Sequence, residues 1–102
     1  MSSPRQKSSA RLEQMNTFKL EIITPYKAYP PRDVVSISVP AEKGTLTVLA
    51  HHQSMVCCLR SGQTRIANAD LGEETWTIGQ GTLTVRHDVA TLLVQEAKNL
   101  QQ

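Results

Sequence analysis

Large apolar residues alternate with hydroxyl residues through four short segments of this 102-residue chain. The segments are Ser36–Val39, Thr45–Val48, Thr75–Ile78 and Thr82–Val85, and each has Ile, Leu, Val or Trp at every second position. Successive side chains of a strand point to opposite faces. The alternation therefore predicts strands with an apolar inner face and a hydroxyl-lined outer face.

A further strand is predicted at Thr17–Thr24. Its large apolar residues fall at positions 18, 20 and 22, and the charged residues Lys19 and Glu21 lie between them. This alternation is typical of a half-buried strand. Three prolines then interrupt residues 25–31. We expect an edge strand or an irregular connection there, because proline cannot donate to a sheet ladder.

Turn-forming residues separate the predicted strands at short and regular intervals. They lie at Glu42–Gly44, Ser61–Gly62, Asp70–Gly72, Gly79–Gly81 and His87–Asp88. Turn signals every ~8–12 residues are typical of all-β folds. The chain is therefore predicted to form a small antiparallel β-sandwich or flattened barrel.

The predicted sandwich occupies residues 17–96, between two segments without an alternating pattern. Residues 1–16 are rich in Ser, Gln and Arg and are predicted to be a disordered tail. Met15, just before the first strand, is an alternative start. Residues 97–102 favour helix but are too few to form a stable helix alone, so we expect a short C-terminal helical stub.

The formal net charge of +2 lies in the predicted tail, where Arg5, Lys7 and Arg11 outnumber Glu13. Residues 17–102 together are therefore neutral. Clustered positive charge supplies most of the affinity of nucleic-acid-binding proteins, and stacked aromatic residues supply much of the rest. With one Trp, two Tyr and one Phe in a neutral domain, the composition argues against nucleic-acid binding.

Two adjacent cysteines, Cys57 and Cys58, bear on the compartment of the protein. Neighbouring side chains of a strand point to opposite faces, so the pair is poorly placed to form a disulfide or bind one metal ion. Apolar neighbours do not activate a thiol. We predict two packing residues in a reducing compartment. No run reaches the roughly 18 apolar residues of a membrane-spanning helix.

The histidines are the strongest candidates for chemistry. His51 and His52 are adjacent, so on a strand they would face opposite ways, whereas strand metal sites use alternate positions. His87 and Asp88 could add ligands only if the fold joined the two corners. An exposed or interface corner is the simpler interpretation. A small metal-dependent β-barrel enzyme using His51, His52 and His87 is the alternative.

The pentapeptide GTLTV occurs twice, at Gly44–Val48 and Gly81–Val85. Each copy follows a predicted alternating strand, and each is followed by a histidine near a turn. Two similar hairpins facing each other would explain the repeat. Coincidence within a composition rich in strand-forming residues explains the repeat nearly as well, so we use it only to support the pairing of like elements.

Four segments occur in the order and spacing of a known family: Leu20–Pro25, Gly44–His52, Leu59–Gly62 and Gly79–Val85. On these segments, Leu20–Gln95 resembles the N-terminal β-sandwich domain of the epsilon subunit of F-type ATP synthases. The resemblance implies a non-catalytic rotor subunit without a cofactor. It would bind the gamma subunit and the ring of c subunits, and it would lie peripherally at the cytoplasmic face of the bacterial inner membrane.

The resemblance also implies contact residues. By position, the turn residues would face the c ring, and residues from the first strand and the histidine corner would face gamma. The implied ring contacts are Ala41, Glu42, Lys43, Gly44 and Thr45, and the implied gamma contacts are Thr24, His52 and Gln53. An adaptor that self-associates through the same edges is a further alternative.

The sequence departs from the family at three places. Thr45 and Thr47 stand where the family has Glu and Gly, and Ala50–His51 stands where it has Pro-Gly. Glycine tolerates a positive φ and histidine adopts it with strain, so we expect a strained backbone at this corner. The family continues into an inhibitory helical hairpin, for which residues 97–102 are too short. The resemblance therefore implies a subunit without this hairpin.

Overall fold

The computed structural model describes residues 16–70 and 72–100, and the predicted disordered tail lies outside this range except for Asn16. The described residues form nine strands and no helix. The strands are β1 Phe18–Ile23, β2 Arg32–Ala41, β3 Gly44–Leu49, β4 Met55–Leu59, β5 Gly62–Asn68, β6 Glu73–Ile78, β7 Gly81–Arg86, β8 Val89–Val94 and β9 Ala97–Asn99.

The strands form the two layers of a β-sandwich. The first layer has the order β1-β8-β7-β4, and the second has the order β3-β2-β5-β6-β9. β2 joins the layers, because it also pairs with β1 through Phe18↔Val34 and with β4 through Ala41↔Leu59. The β1–β8 pairing is parallel and all the others are antiparallel. The predicted all-β sandwich is confirmed, with one parallel pairing that the sequence did not predict.

The core follows the predicted alternation. The apolar members of the alternating segments are buried between the layers, except Leu46, which is half-buried. The one buried polar side chain is Thr64, whose Oγ1 has no hydrogen-bond partner among the described residues. The buried apolar residues are Phe18, Leu20, Ile22, Val34, Ile37, Val39, Val48, Leu59, Ile66, Trp76, Ile78, Leu83, Val85, Ala90, Leu92 and Val94.

The predicted C-terminal helix is wrong for Ala97–Asn99, which form β9. This strand pairs antiparallel with β6, and the ladder is continued by Gly79 N–H donating to Glu96 O (2.9 Å). Leu100 N–H donates to Thr75 O (2.9 Å). A helix this short forms too few internal hydrogen bonds to be stable, whereas the edge of β6 offers backbone partners at once.

The two GTLTV copies do not form equivalent hairpins. β3 pairs with β2, the strand before it, whereas β7 pairs with β4 and β8 and not with β6. Residues 79–80 carry the chain between the layers. The glycine of the second copy serves close packing: a β-carbon on Gly81 would collide with the Leu93 carbonyl oxygen and lie 2.7 Å from Val94 Cα.

We predict that Leu83→Ala lowers the free energy of unfolding by about 2–5 kcal/mol, because Leu83 is fully buried and its removal leaves a cavity. Leu46→Ala should lower the free energy of unfolding by less, about 1–2 kcal/mol, because Leu46 is only half-buried. Urea unfolding followed by the fluorescence of the single Trp76 would measure both. Leu49→Ala is the matched control, since Leu49 is 57% exposed. Equal losses at Leu46 and Leu83 would contradict this account of the core.

Candidate protein-docking site

The five predicted ring-facing residues lie together in the β2–β3 hairpin. Ala41 and Gly44 pair across the hairpin, and Glu42 and Lys43 form its exposed two-residue turn. Gly44 has φ = 127°, a conformation that favours glycine. Thr45 follows at the start of β3 and is exposed. The hairpin therefore projects into solvent. Among the described residues, no ion pair fixes the side chains of Glu42 and Lys43.

A groove of about 450 Å³ lies between this hairpin and β4. It is lined by the hairpin residues Ala41–Thr45, by Leu46 of β3 and by Met55, Cys57 and Cys58 of β4. Leu46, Met55 and Cys57 are half-buried against the core. Burial, and secondarily the neighbouring Cys58, raises the pKa of the Cys57 thiol. The groove is therefore predominantly apolar and contains no activated thiol at Cys57.

Both cysteines are free, and they face opposite sides of β4 as predicted. Cys57 packs against the core, but Cys58 is exposed on the outer face. The prediction that both are packing residues is therefore wrong for Cys58. A single strand in a two-layer sandwich can bury only one of its two faces, so one of two adjacent residues must lie outside.

The three predicted gamma-facing residues do not form one cluster. His52 and Gln53 lie just before β4, whose Met55 pairs with Val85. Thr24 follows β1, whose Ile23 pairs with Leu93 at the other end of β8. The structure therefore brings His52 and Gln53 together and places Thr24 at the opposite end of the first layer.

The histidine corner is held by Asp88. The His51 backbone N–H donates to Asp88 Oδ1 (2.7 Å), and His51 Nδ1 lies 3.3 Å from Asp88 Oδ2. His51 has φ = 63°, which confirms the strained backbone expected where the family has glycine. His87 and Asp88 also have positive φ (49° and 60°), as a two-residue type I′ hairpin turn requires. The corner and the β7–β8 hairpin are thus joined at the surface.

This corner does not assemble the predicted metal ligands. His52 Nδ1 lies 2.8 Å from Gln53 O, so its ring is engaged with its own loop. Across residues 16–70 and 72–100, no group of three or more His, Cys, Asp or Glu side chains is placed to hold a metal ion. The alternative of a metal-dependent enzyme therefore has no ligand set within this range.

A polar cluster around Glu74 was not predicted from the sequence. Its carboxylate accepts hydrogen bonds from Arg32 (2.6 and 2.7 Å), Trp76 Nε1 (2.8 Å), Asn68 Nδ2 (2.9 Å) and Asn99 Nδ2 (3.1 Å). Glu74 precedes Trp76 by two residues, so both face the inside of the sandwich. The cluster closes one end of the sandwich. The sequence did contain a signal for this cluster: Glu74 is an acidic residue at an inward-facing position, two residues before Trp76 and four before Ile78.

Aromatic contacts extend the cluster to the proline-rich connection. Tyr29 packs edge-on against Trp76 with ring centroids 5.0 Å apart, and its hydroxyl lies 3.4 Å from Ala97 O. Lys27 lies over the Tyr29 ring (4.5 Å), and Arg32 lies over the Trp76 ring (5.5 Å). The irregular connection predicted for residues 25–31 is therefore fixed to β6 and β9 by packing.

Exposed apolar side chains are uneven over the surface. On the outer face of the first layer, Val56 is 71% exposed and Leu93 is 52% exposed. The outer face of the second layer carries mostly hydroxyl and charged residues, among them Ser38, Thr47 and Arg65, and has Leu49 (57% exposed) at the end of β3. No helix among the described residues is long and apolar enough to cross a membrane. Because of the exposed side chains of Val56 and Leu93, the outer face of the first layer is the better candidate for a protein contact.

A projecting hairpin, an outer face with exposed apolar side chains and a fixed corner define an all-β docking domain. The family of the ATP synthase delta/epsilon chain beta-sandwich domain matches residues 17–100. The chain belongs to this family. The match includes all nine strands.

Named relatives are ATP synthase epsilon chains. The one from Nitratiruptor sp. is 37% identical over 87 residues, covering 85% of this chain and 67% of that protein. The one from Chlorobaculum tepidum is 33% identical, covering 78% of this chain and 90% of that protein. The one from Protochlamydia amoebophila is 32% identical, and the match covers only 58% of its length. This chain therefore spans very different shares of its relatives.

A solved structure agrees on the fold. The match is to a chain in the Euglena gracilis mitochondrial ATP synthase, in a structure containing OSCP, F1 and the c-ring. Its TM-score is 0.79 at 20% identity, and it covers 84% of this chain and 55% of that chain. At this identity the similarity supports the sandwich fold alone.

The Glu74 cluster should make stability depend on pH. Burial alone would raise the pKa of Glu74, but hydrogen bonds from Arg32, Trp76 and Asn68 outweigh it and lower the pKa below its ordinary value of 4.5. A carboxyl with a lowered pKa stabilises the fold above its unfolded pKa, and this is lost as the pH falls through the folded pKa. We predict that wild type is more stable than Glu74→Gln at neutral pH.

This difference should shrink as the pH falls below about 4.5. Urea unfolding at a series of pH values would measure it. Glu96→Gln is the control, because Glu96 is exposed and lies outside the cluster. A difference between wild type and Glu74→Gln that stays constant from about pH 7 to pH 3 would rule out the lowered pKa as its cause.

The positive φ of His51 predicts that His51→Gly is more stable than His51→Ala by about 1 kcal/mol. Both variants lose the imidazole, so they differ mainly in tolerance of a left-handed backbone. Chemical unfolding would compare them. Gln53 is the control position, because its φ is not positive. There, Gln53→Gly should be less stable than Gln53→Ala. If His51→Ala were more stable than His51→Gly, the backbone at residue 51 would not be strained for a residue other than glycine.

Proposed function

We propose that this chain is a non-catalytic rotor subunit of an F-type ATP synthase. It links the gamma subunit to the c ring and so helps to couple ion transport to ATP synthesis. It lies peripherally at the cytoplasmic face of the bacterial inner membrane. The observation that carries the proposal is the family match across residues 17–100, which spans the whole described sandwich.

The geometry supports a linker between two partners. The hairpin at Glu42–Lys43 precedes β3, and the histidine corner follows it. Six residues of strand separate them by about 20 Å. We assign the hairpin to the c ring and the corner to gamma. A domain that binds two partners at opposite ends can transmit torque only if it is rigid, and the Glu74 and Asp88 contacts supply part of that rigidity.

The positions of Thr24 and Gln53 extend the proposed gamma surface. They lie at opposite ends of the first layer, so a surface containing both must run along its outer face. Leu93 and Val56 are the exposed apolar residues on that face. Apolar side chains lose little by desolvation when a partner covers them, which suits a lasting contact. We therefore include Leu93 and Val56 in the gamma surface.

We predict that Leu93→Glu weakens binding to purified gamma subunit at least about tenfold, because it would bury an unpaired charge. Titration calorimetry with the full chain would measure the affinity. Thr77→Glu is the matched control, since Thr77 is exposed on the second layer. Its affinity should stay within about twofold of wild type. Both variants should unfold at the wild-type urea concentration.

Failure of the wild-type chain to bind gamma at micromolar concentrations would overturn the proposed function. Equal affinity of Leu93→Glu and wild type would move the gamma surface away from the first layer. A concentration-dependent dimer without affinity for gamma would favour the self-associating adaptor. ATP hydrolysis by the purified chain would overturn the non-catalytic assignment.

A further inference from the structure

A tight turn with Pro25 and Tyr26 at its tip follows β1. Thr24 and Lys27 flank the tip and exchange backbone hydrogen bonds: Thr24 N–H donates to Lys27 O (2.8 Å), and Lys27 N–H donates to Thr24 O (3.4 Å). Proline fixes its own φ at about −65°, which suits the second residue of a β-turn. The backbone that carries Tyr26 is therefore held in one conformation.

The side chain of Thr24 is engaged in this turn. Its Oγ1 accepts hydrogen bonds from Tyr26 N–H (3.2 Å) and Lys27 N–H (3.0 Å), and it donates to Lys27 O (3.2 Å). A hydroxyl group has one proton and two lone pairs, so the turn uses all of them. Thr24 is also half-buried. Its hydroxyl group therefore shapes the turn and has no hydrogen bond left for a partner protein.

Tyr26 is the side chain that the turn presents to solvent, and it is 89% exposed. The other tyrosine of this connection, Tyr29, packs against Trp76 and lies under Lys27. The packing of the domain therefore accounts for Tyr29, whereas the ring of Tyr26 contributes little to it. A tyrosine offers a large contact area and has only two side-chain torsions to order on binding. Tyrosines are accordingly enriched among the residues that dominate protein interfaces.

A shallow groove of about 440 Å³ joins the turn to the outer face of the first layer. None of the described residues that line it is charged. Tyr26 directly follows Pro25 and so stands at the rim of the groove, with Leu93 on its floor. Thr24 and Leu93 both belong to the proposed gamma surface, so a partner that covers them also meets Tyr26. The residues that line the groove are Ile23, Thr24, Pro25, Thr82, Leu93, Val94 and Gln95.

We propose that Tyr26 is the residue that anchors the gamma subunit at this end of the first layer, with its ring buried against an apolar surface of gamma. Thr24 is a positioning residue that acts through Tyr26, because its hydroxyl group holds the turn. This assignment rests on the proposed function. It replaces the direct contact implied for Thr24, whose hydroxyl group is turned toward its own backbone. A preorganised turn adds affinity because little conformational freedom is lost when the partner binds.

Titration calorimetry of the full chain with purified gamma subunit tests the anchor. We expect Tyr26→Ala to weaken binding at least about tenfold, because it removes the buried ring. Tyr26→Phe is the matched control: it keeps the ring, and its affinity should stay within about threefold of wild type. Thr77→Ala, on the second layer, should bind within about twofold of wild type. Because Tyr26 is exposed, both of its variants should unfold at the wild-type urea concentration.

A double-mutant cycle tests the positioning role of Thr24. Thr24→Val keeps the shape of the side chain and removes the three hydrogen bonds of its hydroxyl group. In the wild-type background it should weaken gamma binding about fivefold, because Tyr26 is then no longer held. In the Tyr26→Ala background it should change the affinity by less than about twofold, because the group that it positions is absent.

The outcomes separate this inference from the proposed function. If wild type and Tyr26→Ala bind gamma equally, Tyr26 is not an anchor and the proposed function still stands. Equal losses in Tyr26→Phe and Tyr26→Ala would overturn burial of the ring. If Thr24→Val weakens binding equally in both backgrounds, Thr24 contacts gamma itself and is not a positioning residue. No binding of gamma by wild type would overturn both proposals. A dimer that Tyr26→Ala dissociates, without affinity for gamma, would show that a second copy covers this surface.

Discussion

The double pairing of β2 is the constraint on which the sandwich depends. This ten-residue strand pairs with β1 and β4 in the first layer and with β3 and β5 in the second. A register shift between Val34 and Ser36 bends it. Because of this bulge, Val34 and Ile37 both face inward although they are three residues apart, and both are fully buried. One strand therefore closes one side of the sandwich and supplies the centre of its core.

The same constraint leaves the other side of the sandwich open. β2 pairs with β4 only at Ala41, and the groove lies between β3 and β4. At the far end of β2, where Arg32 pairs with Leu20 of β1, Glu74 accepts hydrogen bonds from four side chains and adds polar contacts to this crossing. The molecule thus has one end closed by polar contacts and one side left for a partner. Stability and binding are assigned to different parts of a small domain.

The strands and the core could be predicted because both depend on local alternation. Phe18, Ile37 and Leu83 are buried where the period of two places them. What failed depended on partners distant in sequence. Ala97–Asn99 form a strand only because β6 presents a free edge, and no local pattern encodes that edge. The two GTLTV copies are identical in sequence, yet they pair differently because the chain changes layers between β6 and β7.

The candidate surfaces show the same division. The hairpin at residues 41–45 is local, and the structure keeps it together. The separation of Thr24 from Gln53 follows from the parallel pairing of β1 with β8, and no motif in the sequence predicts this pairing. The closure at Glu74 also gathers residues from four strands, although its phase with Trp76 was visible in the sequence. A contact within one turn can be read from sequence, whereas a surface built from several strands needs the register.

The corner at Ala50–His51 shows how a backbone requirement can persist when its usual residue is replaced. His51 has the left-handed backbone conformation, at φ = 63°, although this conformation is less favourable for histidine than for glycine. The side chain of Asp88 accepts the backbone N–H of His51 and lies close to its imidazole. A neighbouring hairpin thus holds the turn that glycine would adopt unaided. The corner of this chain therefore depends on the β7–β8 hairpin, and a gamma contact at His52 would be positioned by Asp88 from another strand pair.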